Sequence, residues 1–441
     1  MYYMTHKENA VASYTIPKTM RAVVIYKAED EKILKISDDS ERLRTAFHIE
    51  KNIPTPQPGS EEVLVKVMAS GTNFNTIWSL TRKPVSTFDR LSRFAKNDPD
   101  AARHNLDYQI LGSDAAGVVV KTGSGVRNCK PGDRVVIHGA LFEHQSPSTY
   151  EDYLTDEQTR IWGYETNFGA FADYCLVRAT QILPKPRHLS WAEAAVLTAC
   201  NGTAYRMLIS PKGAQLTLGE SVLIWGASGG IGSMAVQYAL RAGAVPIAVV
   251  STEAKAELVR RLGCNAVIVR PSEDSDFINP DGTPNMRRLV RFRRQVLEAN
   301  NGRPPEVVFE HPGRSTFYAS LLVAANRGRI VTCGSTTGYD HLYDNRYLWM
   351  YGKRIIGCHF ASWDESARAT DLACRGLVNP LLSAAFPLEG FHDAIEELLT
   401  EHVGKVAILC NANTIDEGIE DYELRQAIGE EKLGIFRKRT R

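Results

Sequence analysis

Metal-binding cysteine spacing, a membrane-length apolar run and an excess of either charge are all missing from this sequence. Its eight cysteines stand at 129, 175, 200, 264, 333, 358, 374 and 410, with no CxxC pair and no Cys/His spacing suited to zinc. They read as reduced, mostly buried thiols. No apolar stretch approaches the roughly 20 residues that cross a bilayer, so no membrane partner is expected. Lys plus Arg number 52 against 51 Asp plus Glu. That balance gives no positive field to attract a phosphate backbone, and nucleic acid is not an expected partner. The opening MYYMTHKENA lacks the basic, apolar and small-residue regions of a secretory signal, which makes the cytoplasm the expected compartment. A P-loop and a biotin-attachment lysine motif are also absent, removing ATP and biotin from the expected cofactors.

What is present is chain enough for two cores, since 441 residues exceed the roughly 250–300 at which one core stops growing. Residues 1–18 read as a loose arm. From Met20-Arg-Ala-Val-Val-Ile-Tyr26 to about residue 185, short apolar runs such as Glu62-Val-Leu-Val-Lys-Val67 alternate with Gly and Pro, the pattern of strands and turns. After Trp191-Ala-Glu-Ala-Ala-Val196 helical periodicity takes over, and Ser221-Val-Leu-Ile-Trp225 opens a strand and helix alternation. Further strands are expected at 246–250, 265–269, 306–310, 329–333 and 355–358, spaced for crossover helices and hence for a parallel, doubly wound sheet. The chain then returns to the β domain through Gly404-Lys-Val-Ala-Ile-Leu-Cys410, and the charged tail after 411 reads as solvated helix. The expected division is 19–205 with 376–441 as a β domain, and 206–375 as a nucleotide-binding domain. Arg287, Arg288, Arg291, Arg293 and Arg294 have helical spacing, which fits either a solvated helix face or a phosphate-facing one.

Gly226-Ala-Ser-Gly-Gly-Ile-Gly232 follows an apolar strand and opens a helix, the context in which glycines let a backbone approach a pyrophosphate at a helix N-terminus. Gly226, Ser228, Gly229, Gly230, Ile231 and Gly232 are therefore candidate cofactor contacts, and Thr203 and His311 are assigned to the same site. The next strand ends in Ser251-Thr252 with no carboxylate on the strand end, where an NAD enzyme usually holds the ribose 2′-hydroxyl. Ser251 and Thr252 can donate to a 2′-phosphate and Lys255 can pair with it, so NADPH is the expected cofactor. Glu253 is the nearby carboxylate that could serve a 2′-hydroxyl instead.

The segment Gly112-Ser-Asp-Ala-Ala-Gly117, with Gly123, Gly125 and Pro131-Gly-Asp-Arg-Val135, resembles the GroES-like domain of medium-chain dehydrogenase/reductases. The resemblance spans about residues 20–410 and implies an α/β architecture, a GroES-like β domain plus a Rossmann domain. Zinc alcohol dehydrogenases of that superfamily carry Gly-His-Glu where this chain has Gly112-Ser113-Asp114, and they add a four-cysteine lobe missing here, so no metal is expected. Without a Lewis acid, the expected chemistry is conjugate reduction of an activated double bond.

Four longer stretches resemble crotonyl-CoA carboxylase/reductases: Ile161-Trp-Gly-Tyr-Glu-Thr-Asn-Phe-Gly169, Phe309-Glu-His-Pro-Gly313, Tyr343-Asp-Asn-Arg-Tyr-Leu-Trp-Met350 and Lys353-Arg-Ile-Ile-Gly-Cys-His-Phe-Ala361. The resemblance places that family's carbon dioxide pocket on Asn75, Tyr164, Glu165 and His359. It places coenzyme A contacts on Asn345, Arg346 and Tyr347, and it implies a homotetramer, a dimer of dimers. Hydride delivered to the β-carbon of an enoyl thioester leaves an enolate that must meet a proton or CO2, and hydrogen-bond donors aimed at CO2 would stabilise the growing carboxylate. Asn75 suits that task; His359 and Glu165 could fix a donating water, and Tyr164 could close the pocket. Tyr164 stands where the family has phenylalanine, adding a hydroxyl to the pocket, and Cys358 and Phe171 also depart from the family pattern, which bears on acyl length. Each residue has a plainer reading: a turn asparagine at 75, a surface or interface carboxylate at 165, a core histidine at 359, a structural loop at 345–347. An enoyl-CoA reductase without carboxylation, a quinone reductase and a non-catalytic NADPH-binding protein remain alternatives.

Overall fold

A computed structural model describes residues 14–97, 99–142, 149, 151–270, 277–400 and 403–438; the first thirteen residues of the expected arm lie outside them. The second half is organised by a six-stranded parallel sheet. Its order is Ala266–Val269, Val245–Val250, Ser221–Ile224, Val307–Glu310, Arg329–Thr332, Arg354–Gly357. Within a strand, side chains point alternately to opposite faces. Val222 and Ile224 accordingly join the core under the helix Gly230–Arg241, while Leu223 and Trp225 join the opposite core with Leu289, Phe292 and Val296 of the helix Met286–Ala299. Such two-sided burial explains why these strands read as continuous apolar runs. The strand order reverses beside Ser221–Ile224, which opens a crevice at the C-terminal ends of the strands.

The first half wraps round the long strand Glu62–Gly71. It pairs antiparallel with Ala115–Thr122, Tyr174–Arg178 and the returning Lys405–Leu409. Val63, Val65 and Val67 face one core and Leu64 another, as a period of two requires. The arginine-rich helix Met286–Ala299 leaves Arg287, Arg291, Arg293 and Arg294 exposed, a solvated face.

The tail corrects the expectation of solvated helix. Its helices Tyr422–Ile428 and Glu430–Leu433 bury Arg425 against Glu193 at 2.8 Å, and Leu433, Ile435 and Phe436 enter the main core. A charge whose counter-ion lies 232 residues earlier looks solvent-facing from composition alone. Arg425→Ala would leave Glu193 buried with only Arg437 as counter-ion. Loss of one partner of a buried pair costs roughly 3–5 kcal/mol, so the urea midpoint of this variant is expected to fall clearly, and an unchanged midpoint would contradict the packing role of the tail.

Candidate active site

The glycine loop turns sharply between the strand Ser221–Ile224 and the helix Gly230–Arg241. Gly226 takes φ +56°, a conformation that favours glycine. A Cβ there would meet His311 Nε2 at 2.9 Å, and one on Gly232 would meet the Gly226 carbonyl at 2.3 Å. A dinucleotide pyrophosphate fits this cradle: the loop is shaped by close backbone contacts, and the first amides of the helix have no intrahelical acceptor. His311 Nε2 lies 3.0 Å from the Trp225 carbonyl, which can only accept. Nε2 therefore carries the proton, and burial lowers the ring's pKa to about 4, opposed by that hydrogen bond. Thr203 is buried on the helix Thr198–Leu208, its hydroxyl donating to the Ala199 carbonyl at 2.6 Å.

At the end of Val245–Val250, Ser251 and Thr252 are exposed and Lys255 Nζ donates to Ser251 Oγ at 3.2 Å. The Thr252 hydroxyl caps the helix Glu253–Arg261. Glu253 is paired with Arg260 at 2.6 Å. Its carboxylate is thus engaged along its own helix, and the cluster presented at the strand end is one ammonium with two hydroxyls.

A cleft of about 430 Å³ lies at the C-terminal ends of Arg329–Thr332 and Arg354–Gly357, lined by Trp78, Leu154, Cys333, Tyr339, Cys358 and His359 among others. Asn75 precedes Trp78 by one turn on the helix Phe74–Thr81, so the two share a face. Its amide donates to Ser113 Oγ at 2.9 Å, and Ser113 is also reached by Asn73 Nδ2 at 3.2 Å. The loop 161–169 is pressed onto the same backbone. A Cβ on Gly163 would meet the Gly112 carbonyl at 2.0 Å and one on Gly169 the Leu111 carbonyl at 2.5 Å, while Gln109 Nε2 donates to the Tyr164 and Thr166 carbonyls at 2.9 and 3.0 Å.

That docking sets Tyr164 against Trp78, ring centroids 6.1 Å apart, and burial pushes the phenol up to about 12, Arg90 opposing. Glu165 is ion-paired with Arg90 and accepts from the Ile161 amide at 2.9 Å. His359 is open to the cleft rather than a core histidine. The protein crowded round it lowers its pKa, and the nearby charge of Glu165 acts in the opposite direction. Of the four, His359 lines the cleft, Tyr164 stands against its Trp78, the charge of Glu165 reaches His359, and Asn75 lies one turn from Trp78. Asn345, Arg346 and Tyr347 are not among the cleft's lining: they lie on the helix Asn345–Trp349, where Arg346 pairs with Asp344 at 2.7 Å and Tyr347 stacks on Tyr351.

Residues 59–187 match the model of the alcohol dehydrogenase GroES-like domain and residues 230–375 that of the zinc-binding dehydrogenases. Crotonyl-CoA reductase of Streptomyces collinus is 45% identical over 94% of this chain and 93% of its own length. Crotonyl-CoA carboxylase/reductase of Cereibacter sphaeroides is 39% identical over 76% of each chain. The chain belongs to the crotonyl-CoA carboxylase/reductase family. Among solved structures, a 2-octenoyl-CoA carboxylase reductase in complex with NADP and 2-octenoyl-CoA superposes with a TM-score of 0.91 at 43% identity, covering 96% of this chain and 95% of that one.

Of the departures from the pattern of crotonyl-CoA carboxylase/reductases, Cys358 lines the cleft, whereas Phe171 is fully buried and packs on Phe391, centroids 5.0 Å apart. Three residues of the site were missed from the sequence. Ser113 orients Asn75, Arg90 holds Glu165, and Lys405 pairs with Asp114 at 2.8 Å while its stem covers Gly230. Only Ser113 carried a signal, as the replacement within Gly112-Ser113-Asp114. Among the described residues no three His, Cys, Asp or Glu side chains come together as a metal set. For the 2′-phosphate corner, Lys255→Ala is expected to raise the KM for NADPH about tenfold, the worth of a lost charge-assisted contact, with KM for NADH nearly unchanged. Equal effects in steady-state kinetics on the two cofactors would refute that role.

Proposed function

We propose that this chain is an NADPH-dependent enoyl-CoA carboxylase/reductase that turns a 2-enoyl-CoA and CO2 into an alkylmalonyl-CoA. The observation that carries the reading is the docking of loop 161–169 on Leu111 and Gly112, which sets Tyr164 against Trp78 of the cleft that His359 lines, with the charge of Glu165 near that imidazole and Asn75 one turn from Trp78. The relative of known structure whose complex holds NADP and 2-octenoyl-CoA supports the choice of cofactor and substrate class.

Gly226, Ser228, Gly229, Gly230, Ile231 and Gly232 would hold the pyrophosphate of NADPH, Ser251, Thr252 and Lys255 its 2′-phosphate, and Thr203 and His311 would add further contacts to the cofactor. Bound NADPH supplies hydride to the β-carbon of the enoyl thioester, whose double-bond electrons pass into an enolate. The enolate's α-carbon then forms a C–C bond to CO2 as an electron pair moves to a CO2 oxygen, or it takes a proton. Asn75 directs the outcome with the amide hydrogen that Ser113 leaves free, aimed at a CO2 oxygen. Neutral His359, beside Glu165, orients a water toward the other oxygen, and Tyr164 covers the pocket. Asn345, Arg346 and Tyr347 would meet the coenzyme A tail, with Arg346 exchanging Asp344 for a phosphate. Zinc, biotin and ATP have no part in this reading: Ser113 and Asp114 stand where the zinc enzymes carry histidine and glutamate, and both are committed to Asn73, Asn75 and Lys405.

The rival reading, protonation of the enolate to a saturated acyl-CoA, is favoured by the Tyr164 hydroxyl, which keeps its proton through burial. Mass analysis of products from enoyl-CoA thioesters with NADPH and ¹³C-bicarbonate decides: labelled alkylmalonyl-CoA supports carboxylation, and unlabelled saturated acyl-CoA alone leaves the reductase. Glu165→Ala and His359→Asn are expected to bind NADPH but to move the product ratio about tenfold toward the saturated thioester, a transition-state change near 1.4 kcal/mol. Unchanged ratios in both would reject their assignment.

The same proposal places the enzyme in the cytoplasm, which fits its free cysteines, and makes it a homotetramer built as a dimer of dimers. Arg354–Gly357 ends the parallel sheet, with Ile355, Trp349 and Met350 exposed beside it, an edge open to pairing with a second copy. Ile355→Asp is expected to lower the mass seen by light scattering; an unaltered mass would place the interface elsewhere.

A further inference from the structure

Arg90, on the helix Thr87–Asn97, does more than hold Glu165. One guanidinium nitrogen is paired with Glu165 Oε1. The guanidinium plane lies over the Tyr164 ring, 5.3 Å from its centroid. Nε is buried without a hydrogen-bond partner among the described residues. The guanidinium thus spends one edge on Glu165 and its face on Tyr164.

The consequence concerns His359. Glu165 has its second oxygen on the Ile161 amide at 2.9 Å, and its side chain is 12% exposed. A carboxylate that deep needs a counter-charge. The guanidinium of Arg90 supplies it, and the His359 imidazole, on the cleft lining, is close enough for the charges of both Glu165 and Arg90 to act on it. The other charge near His359 is Arg206, which is already paired with Asp152 and Glu365. Cys333, Tyr339, His341 and Cys358, which share the cleft, are kept neutral by burial, which raises the thiols and the phenol and lowers the imidazole. Tyr164 is likewise neutral. Arg90 and His359 are therefore in competition for one anion.

We propose that Arg90 is a positioning residue that occupies Glu165 and thereby keeps the His359 imidazole neutral beside the enolate. It deepens the carboxylase reading and rests on it. Without Arg90, His359 would become the imidazolium partner of Glu165. It could then give its proton to the α-carbon, a C–H bond forming where the C–C bond to CO2 would have formed, and return to the neutral ring. Selectivity for CO2 over a proton would then depend on pH, which an orienting role alone would not produce.

Two readouts test this on the full-length, NADP-loaded protein. In the first, ring-labelled histidine is titrated by NMR. Arg90→Gln is expected to raise the His359 midpoint by about one unit or more, the usual effect of an adjacent carboxylate gained as partner; Arg90→Lys is expected to restore it, and Arg90→Gln with Glu165→Gln to abolish the rise. In the second, the ratio of carboxylated to saturated product is followed from pH 6 to 8.5. The unaltered enzyme should give a flat ratio, and Arg90→Gln one that falls at least tenfold toward the acid end. Arg90→Met serves the same comparison if the glutamine variant does not fold. An unmoved His359 midpoint in the uncharged variant overturns the proposal, as does an equal, pH-independent loss of carboxylation in the glutamine and lysine variants. If the unaltered enzyme forms no labelled product, the carboxylase reading fails, while the His359 titration still decides the role of Arg90.

Discussion

Lys405 and Asp114 meet at 2.8 Å with their side chains 6% and 1% exposed. Burial alone would lower the lysine's pKa, but the carboxylate outweighs it and raises the value. A pair taken so far out of water is tolerable only if its remaining hydrogen-bonding capacity is used. Here it is: Asp114 also accepts from Asn73 Nδ2 and from the Ala199 amide at the start of the helix Thr198–Leu208, and Lys405 donates to Asn73 Oδ1. The contact joins the returning strand of the β half, the Gly112–Asp114 loop and the cap of the helix bearing Asn75 and Trp78. The lysine stem rests on Gly230 of the phosphate loop, beside the Gly229–Gly404 bridge. The pair lies within the β half, and the lysine stem and the backbone bridge beside it hold that half against the phosphate loop.

From that joint the rest of the site is placed by backbone contact rather than by side-chain reach. Ser113, next to Asp114, holds the Asn75 amide, and Gly112 receives Gly163 so closely that any side chain there would collide with its carbonyl. Rigid placement of this kind is what an enolate requires, because donors already aimed at the developing charge cost no reorganisation during reaction. The groups round the cleft release their protons reluctantly. Its thiols and phenols are held protonated by burial, and its imidazoles are biased toward the neutral ring.

Two buried carboxylates, Glu193 and Glu165, illustrate two uses of buried charge. Around Glu193, Arg425 and Arg437 anchor the tail, a packing role in which each charge is matched. Around Glu165, a single arginine nitrogen and one amide suffice. The difference between a satisfied and a partly satisfied carboxylate separates a structural ion pair from one able to take part in chemistry.

Local pattern made much of this protein legible. Apolar runs bounded by turns located the parallel strands to within about a residue, because two-sided burial leaves its mark on consecutive residues. The Gly226–Gly232 loop declared itself because its glycines answer to backbone geometry within seven positions, and the long stretches around Tyr164, Glu165 and His359 carried the family resemblance. Composition misplaced the tail, and nothing pointed to Arg90 or Lys405. Their partners lie 75 and 291 residues away, and a charged side chain reads as solvent-facing until the fold supplies its counter-ion. Sequence by itself determined the architecture and the phosphate loop, since periodicity and glycine placement are local properties. Which charges are buried, and which of them meet, was decided only by tertiary structure, because an ion pair is a property of distance in space.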